Sequence, residues 1–192
     1  MAGRRFCRGF HRRRRRRARI VGKNNRRDLV RAIVSHREDA RDCKEAGDAR
    51  FGSKDYKGAI ADYTKAIELD PKYAHAYVCR GDSYVGAKDY DRAIADFGKA
   101  LQIYPQFGLA YLYRAFTHKL RKDYDLAIAD YTKALELDSK DAQAYESRGG
   151  AYEARGHSGD REKSIADYRK ALELDPNLTP ARKDLERLGI KP

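Results

Sequence analysis

The sequence predicts an all-α fold, a right-handed solenoid built from four helical hairpins. The segment AIADYTKA occupies residues 59–66 and returns unchanged at 127–134, and close variants begin at Ala93 and Ser164. Successive copies start 34, 34 and 37 residues apart. Self-similarity at a fixed period of about 20 to 50 residues indicates stacked repeats, in which each unit packs on its neighbours.

The spacing of apolar residues indicates that the units are helical. The apolar side chains within residues 59–69 follow the i, i+3, i+4, i+7 spacing of one helix face: Ala59, Ile60, Tyr63, Ala66, Ile67 and Leu69. A single pair of helices cannot bury such a face alone, so neighbouring pairs must stack.

Small and bulky residues recur in step with the repeat. Small residues that would let two helices approach closely are Gly47, Gly81, Ala115 and Gly149, and then Ala59, Ala93, Ala127 and Ser164. Aromatic rings that would fill the space beside them are Tyr63, Phe97, Tyr131 and Tyr168. Pro71, Pro105 and Pro176 are predicted to end the second helices, because proline disfavours helix in the residue before it.

The second unit carries the most complete set of landmark residues: Tyr77, Gly81, Tyr84, Ala93, Phe97, Ala100 and Pro105. In this order and spacing the chain resembles the tetratricopeptide repeat (TPR) family. The resemblance extends over four units, at residues 40–73, 74–107, 108–141 and 142–178. It departs from the family pattern at Ser139, which replaces a proline, and in the fourth unit, where GHSGDREKS includes three extra residues.

The segments that flank the repeats are predicted to form an arm, a short helix and an end cap. Residues 1–27 hold no acidic residue, and the mutual repulsion of their positive charges predicts a disordered arm. Residues 28–39 predict a short amphipathic helix, either a cap on the first unit or a detachable segment. Residues 179–192 predict a capping helix with apolar residues on its inner face.

Two charged positions also recur. Aspartates precede the aromatic residue of each second helix, at Asp62, Asp96, Asp130 and Asp167, and arginines occur at Arg80, Arg114 and Arg148. Each arginine follows the aspartate of the preceding unit by 18 residues, which predicts three inter-unit ion pairs: Asp62–Arg80, Asp96–Arg114 and Asp130–Arg148. On this interpretation the first unit has Ala46 because no unit precedes it, whereas pairing within each unit would leave Asp62 alone.

The resemblance implies that the first helices of the hairpins line a concave groove in which peptides bind. By helical phase, the groove-facing residues of the two middle units are His75, Val78, Cys79, Asp82, Val85, Leu109, Leu112, Tyr113, Phe116 and Lys119. The apolar and aromatic members predict a site for an apolar or aromatic segment of a partner. The alternative is that Leu109 and Leu112 are buried against adjacent units.

One ligand class and catalysis are both disfavoured. Family members that hold the C-terminal carboxylate of heat-shock chaperones use Lys, Asn and Arg side chains on these helices. Here Lys44 matches, but Asp48 would repel a carboxylate, so the sequence predicts that this clamp is absent. Its histidines form no HxxxH or HExxH set, and no phosphate loop or GxSxG occurs, so we expect a non-enzyme without cofactor or metal.

Positive charge is concentrated at the start of the chain. Residues 1–39 carry +12 of the net charge of +13. Six consecutive arginines would bind RNA or DNA phosphates, or anionic lipid, without reading sequence: Arg12, Arg13, Arg14, Arg15, Arg16 and Arg17. Two alternatives remain open, a later translation start and a tolerated solvated tail.

The sequence favours a cytoplasmic protein. Its three cysteines form no CxxC pair, no apolar run approaches the roughly 20 residues of a membrane span, and no apolar signal segment follows the first arginines. We expect a protein–protein interaction scaffold that binds a partner segment in its groove. The second hypothesis is a nucleic-acid-associated adaptor whose arm binds RNA or DNA. The oligomeric state is left open.

Overall fold

The computed structural model describes residues 26–191, with side chains placed from Ile33 onward. This part of the chain holds nine α-helices and no strand: α1 (Arg26–Gly52), α2 (Tyr56–Leu69), α3 (Ala74–Gly86), α4 (Tyr90–Ile103), α5 (Gly108–Leu120), α6 (Tyr124–Leu137), α7 (Ala142–Arg155), α8 (Asp160–Leu174) and α9 (Thr179–Arg187). Residues 39–191 form one compact unit, in which each helix packs on the next in chain order. The prediction of an all-α solenoid is confirmed.

The core of each hairpin depends on a close approach between its two helices. Phe97 on α4 is fully buried against Gly81 on α3, and a Cβ atom at Gly81 would lie 2.6 Å from the ring. The same arrangement recurs in the pairs Gly47–Tyr63 and Gly149–Tyr168. In the third hairpin Ala115 takes this position beside Tyr131, and both residues are buried. Interiors are packed too densely to absorb an extra methyl group, so at Gly81 only glycine fits without displacing the ring.

The first helix is longer than the sequence analysis predicts. Residues 28–39 do not form a separate helix, because α1 begins at Arg26 and continues without a break to Gly52. Neither proline nor glycine occurs between residues 26 and 46, so nothing in the sequence interrupts the backbone hydrogen bonds there. The arm predicted at residues 1–27 lies outside the described residues as far as residue 25, and its last two residues belong to α1.

The last helix covers the end of the stack. α9 packs on α8 through Ala181 and Leu185, which are fully buried in a cluster with Tyr168 and Ala171. It ends at Arg187, and Gly189, two residues later, has a φ of 74°, the left-handed conformation that favours glycine after a helix. The apolar face of the fourth hairpin is therefore not left open to water.

The recurring arginines and aspartates pair within hairpins, so the predicted inter-unit pairs Asp62–Arg80, Asp96–Arg114 and Asp130–Arg148 are wrong. The observed pairs are Arg80–Asp96, Arg114–Asp130 and Arg148–Asp167. In each pair the arginine Nε and Nη2 atoms donate to the two carboxylate oxygens, over 2.7–2.8 Å. The second helix folds back along the first, which places the aspartate of the same hairpin opposite the arginine. The two lie 16 residues apart, or 19 in the fourth hairpin because its turn is longer.

The first hairpin obtains its cation from another position. Arg50, one helical turn after Ala46, places Nε 3.1 Å from Oδ2 of Asp62. The angle does not suit a hydrogen bond, and within the described residues that buried oxygen accepts none. We therefore regard Arg50–Asp62 as an ion pair of weaker geometry. Ala46 can lack the charge because Arg50 supplies it.

Other polar contacts join adjacent hairpins. Two of the paired arginines also donate from Nη1 to a threonine of the preceding hairpin over 3.1 Å, in Arg80–Thr64 and Arg148–Thr132. Arg114 faces Gly98 at the equivalent place, where no side chain can accept the bond. A second set of ion pairs joins the second hairpin to the third and the third to the fourth, Asp91–Arg121 and Asp125–Arg155.

We expect double-mutant cycles to report the pairing within hairpins. Arg114→Met and Asp130→Asn should show a coupling free energy of about 1–3 kcal/mol, because the two side chains share two charge-assisted hydrogen bonds. Arg114→Met and Asp96→Asn should couple by less than about 0.5 kcal/mol, because they share no contact. Urea unfolding of the three single variants, the two double variants and the parent measures both values. A larger coupling with Asp96 than with Asp130 would contradict this assignment.

Candidate functional site

An apolar cleft opens between α5 and α7. Its volume is about 250 Å³, and its α5 wall consists of Leu109, Leu112, Tyr113 and Phe116. Leu109 and Phe116 are each 45% exposed, a large fraction for such side chains. An exposed apolar surface bordered by polar groups is typical of a binding site.

The opposite wall of the cleft is more polar. It contains Asp141, Gln143, Ala144 and Ser147 from α7 and the turn before it, and Tyr131 lies at the base. Helical phase indicates that Gln143 and Ser147 face the groove, whereas the repeat pattern predicts that Tyr131 belongs to the core of its hairpin. Its contribution to the cleft depends on how α6 lies beneath α5 and α7, which no local pattern shows.

The structure brings together only part of the predicted groove set. Leu109, Leu112, Tyr113 and Phe116 meet in the cleft. Val78 does not face a ligand, because it is 3% exposed and belongs to the core. The alternative that Leu109 is buried against its neighbours does not hold, whereas Leu112 is partly buried against the core of the third hairpin.

The remaining predicted residues lie away from the cleft walls. His75 is exposed at the start of α3, with its ring 4.6 Å from that of Phe107. Val85 packs partly buried against the core of the second hairpin, and Cys79 is half-buried on α3. Burial raises the pKa of the Cys79 thiol to about 11, so this side chain remains a neutral thiol at neutral pH.

Tyr113 connects the cleft to the second hairpin. Its ring stacks on Phe97 with 5.8 Å between ring centroids and an interplanar angle of 13°. Burial, followed by the charge of Asp82, raises the pKa of the Tyr113 hydroxyl. The aromatic wall of the cleft is therefore held in place by the same ring that fills the space beside Gly81.

Asp48 on α1 is a well-satisfied carboxylate. Its Oδ1 accepts a hydrogen bond from the hydroxyl of Tyr63 over 2.8 Å, and Oδ2 accepts one from Lys44 Nζ over 2.6 Å. Lys44, the residue that matches the carboxylate clamp of the family, is thus already occupied by an acidic partner.

Asp82 on α3 is different, because in the part of the chain that the structure describes it has no hydrogen bond or ion pair. It is half-buried, and this burial raises its pKa to about 6 from an ordinary value of 3.8. An ionised carboxylate without a counter-charge is unfavourable in such a place. Asp82 therefore costs the folded protein stability at neutral pH.

A second, polar pocket of about 300 Å³ lies near the C-terminal end of the stack. Lys119 belongs to its lining, together with Glu146, Glu153 and Arg187. Arg187 on α9 binds both carboxylate oxygens of Glu153, and this contact holds the pKa of Glu153 below its usual range. The capping helix thus neutralises the acid at this end of the groove.

Across residues 26–191, no group of three or more His, Cys, Asp or Glu side chains is placed to hold a metal ion. Within the same range, none of the helices has the length and apolar character needed to cross a bilayer.

Comparison with known proteins gives matches at the level of the repeat. Sequence profiles described as TPR repeat and tetratricopeptide repeat match residues 47–88, 74–107, 108–141 and 142–178. A search of curated proteins gave no significant match.

Three solved structures illustrate the structural similarity. The first TPR of Spaghetti (RPAP3) bound to the HSP90 peptide SRMEEVD is 25% identical, with a TM-score of 0.62 over 63% of this chain and 96% of that one. The Arabidopsis OM64 TPR domain is 27% identical, with a TM-score of 0.60 over 62% and 98%. MamA 41-end from Desulfovibrio magneticus RS-1 is 21% identical, with a TM-score of 0.72 over 79% and 84%, and shows the fold alone.

We expect Asp82→Asn to stabilise the protein by about 1 kcal/mol at pH 7.5. Because the folded-state pKa of Asp82 is about 6 and its ordinary value is 3.8, the folded chain binds this proton more tightly than the unfolded chain does. The protonated Asp82 carboxyl therefore adds to the free energy of unfolding. This contribution is fully present below pH 3.8 and is lost as the pH rises through 6. The gain from Asp82→Asn should therefore fade by about pH 4.

Urea unfolding at both pH values measures this effect, and Asp48→Asn is the matched control. That variant should lose stability at pH 7.5, because Asp48 accepts two hydrogen bonds. An Asp82→Asn gain of the same size at both pH values would show that Asp82 titrates normally.

Proposed function

Because this chain belongs to the tetratricopeptide repeat family, we propose that it is a non-catalytic scaffold that binds a segment of a partner protein in the groove formed by its first helices. The cleft between α5 and α7 carries this proposal. Leu109 and Phe116 are exposed there beside Tyr113, and a solvated apolar surface of this kind gains free energy when a partner's apolar side chain covers it.

The ligand differs in chemistry from the acidic peptide SRMEEVD in the Spaghetti complex. Lys44 is bonded to Asp48, and Asp82 adds an unpaired carboxylate to the same series of first helices. Acidic peptides would meet repulsion there rather than a clamp. The apolar cleft, rather than a carboxylate site, is therefore the proposed anchor.

We expect Phe116→Ala to weaken binding of apolar-anchored peptides by about tenfold or more. The probe is a synthetic library of short labelled peptides, each with one Phe, Leu or Tyr at its centre, measured against the full-length chain by fluorescence polarisation. Tyr113→Ala should weaken the same peptides, since both rings line the cleft.

Leu126→Ala is the matched control for this experiment. Leu126 on α6 is an exposed apolar residue outside the cleft, so its removal should leave binding unchanged. Equal effects of Phe116→Ala and Leu126→Ala, or no peptide binding at all, would refute the groove assignment.

The run Arg12–Arg17 favours a second candidate function, a nucleic-acid-associated adaptor whose arm binds RNA or DNA phosphates. If six arginines each contact a phosphate of a single strand, the logarithm of affinity should fall with the logarithm of salt concentration with a slope of about −4. Titration of oligo-uridylate at several salt concentrations measures this slope. Deleting residues 1–24 should abolish that binding and leave peptide binding intact, and a slope near zero in the full chain would remove this candidate.

A further inference from the structure

Asp82 is the second-unit copy of Asp48, displaced by one repeat of 34 residues. The repeat makes the surroundings of the two carboxylates directly comparable, because the helices α1–α2 and α3–α4 form equivalent hairpins. Each aspartate follows the glycine that packs against the aromatic ring of the second helix. The two acids thus occupy the same place, and a difference between their partners has a local cause.

Both partners that satisfy Asp48 are missing at Asp82. The position of Lys44 is taken in the second unit by Val78, which is buried and uncharged. The position of Tyr63 is taken by Phe97, a ring of the same shape without the hydroxyl group. The second unit therefore keeps the carboxylate and lacks the cation and the hydrogen-bond donor that accompany it in the first unit.

The unpaired carboxylate lies next to the apolar cleft. α3, which carries Asp82, touches α5, which carries the cleft residue Tyr113. The Tyr113 ring stacks on Phe97, which packs against Gly81, the residue before Asp82, and the charge of Asp82 acts on the Tyr113 hydroxyl by raising its pKa. A ligand that buries an apolar side chain against Tyr113 thus has Asp82 within reach of its neighbouring residues.

The charges around the cleft also favour a cation. Asp141 lines the α7 side of the cleft and accepts a hydrogen bond from the backbone N–H of Ala144 over 2.9 Å. The nearest lysine on the α5 wall, Lys119, belongs to the separate polar pocket with Glu146 and Glu153. Asp141 is thus the charged residue of the cleft lining, and Asp82 supplies a second carboxylate from the neighbouring helix α3.

We propose that the groove selects partner segments in which a lysine or arginine lies close to an aromatic or large aliphatic residue, with the cation paired to Asp82 and the apolar side chain in the cleft of Leu109, Tyr113 and Phe116. This inference rests on the proposed function and adds the chemistry of the ligand. A carboxylate without an internal partner loses less on binding a cation than one that must first release a lysine, so Asp82 rather than Asp48 is the recognition residue.

The test uses labelled peptides with a central Phe, in which each neighbouring position holds Lys, Arg, norleucine or Glu in turn. With the full-length chain, the best Lys or Arg peptide should bind about tenfold more tightly than its norleucine counterpart. Asp82→Asn should abolish this preference and leave the norleucine peptide unchanged. Phe97→Tyr should reduce the preference, because its hydroxyl would reach Asp82 as that of Tyr63 reaches Asp48. Asp48→Asn should leave it intact.

The outcomes separate this inference from the proposed function. If Phe116→Ala weakens all peptides but basic residues confer no advantage, or the advantage survives Asp82→Asn, the assignment of a basic ligand is overturned and groove binding stands. If no peptide binds in a manner that depends on Phe116, both proposals fail.

Discussion

The packing of an aromatic ring on the second helix against a minimal residue on the first is the contact on which the rest of this structure depends. At Gly81 there is no room for a Cβ atom beside Phe97, so the separation of α3 and α4 is fixed by the width of that ring. Because Tyr113 stacks on the same ring, the position of the cleft wall follows from the hairpin core. The second hairpin has Phe97 where the first has Tyr63, and the lack of a hydroxyl group there leaves Asp82 without a hydrogen-bond donor. Hairpin packing and groove chemistry are thus set by the same side chain.

The arginine–aspartate pairs show how one requirement is met in two ways within a single chain. Three hairpins place the arginine at the same position of the first helix, and Arg148 with Asp167 retains both hydrogen bonds although the turn between the helices is longer. The first hairpin has Ala46 there and uses Arg50, one turn later, to approach Asp62. A carboxylate as buried as these requires a cation nearby, but its source along the helix is free to vary.

Periodicity in the sequence was sufficient to predict the hairpins, their aromatic cores and the cap at α9, since those features follow from local spacing and from the need to bury one face. It was not sufficient to identify the partner of Arg114. By sequence, Asp130, 16 residues after Arg114, and Asp96, 18 residues before it, are both plausible partners. Asp130 is the partner because α6 folds back antiparallel to α5. The continuity of α1 could have been inferred from the lack of proline and glycine over residues 26–46. The burial of Val78 and the contribution of Tyr131 to the cleft depend on how three helices meet. The spacing of residues along the chain does not define that arrangement.

The polar contacts between hairpins are unequal along the chain. In the described residues the first and second hairpins share the Arg80–Thr64 hydrogen bond, the second and third share the Asp91–Arg121 ion pair, and the third and fourth share both kinds of contact. A stack with nearest-neighbour coupling nucleates where its coupling is strongest and frays from the opposite end. The C-terminal pair of hairpins is thus the expected nucleus, and α5 and α7, which form the two sides of the cleft, belong to it. The apolar cleft would then persist when the first hairpin frays. Asp82 lies on the second hairpin, outside this nucleus, so its position relative to the cleft would be lost more readily.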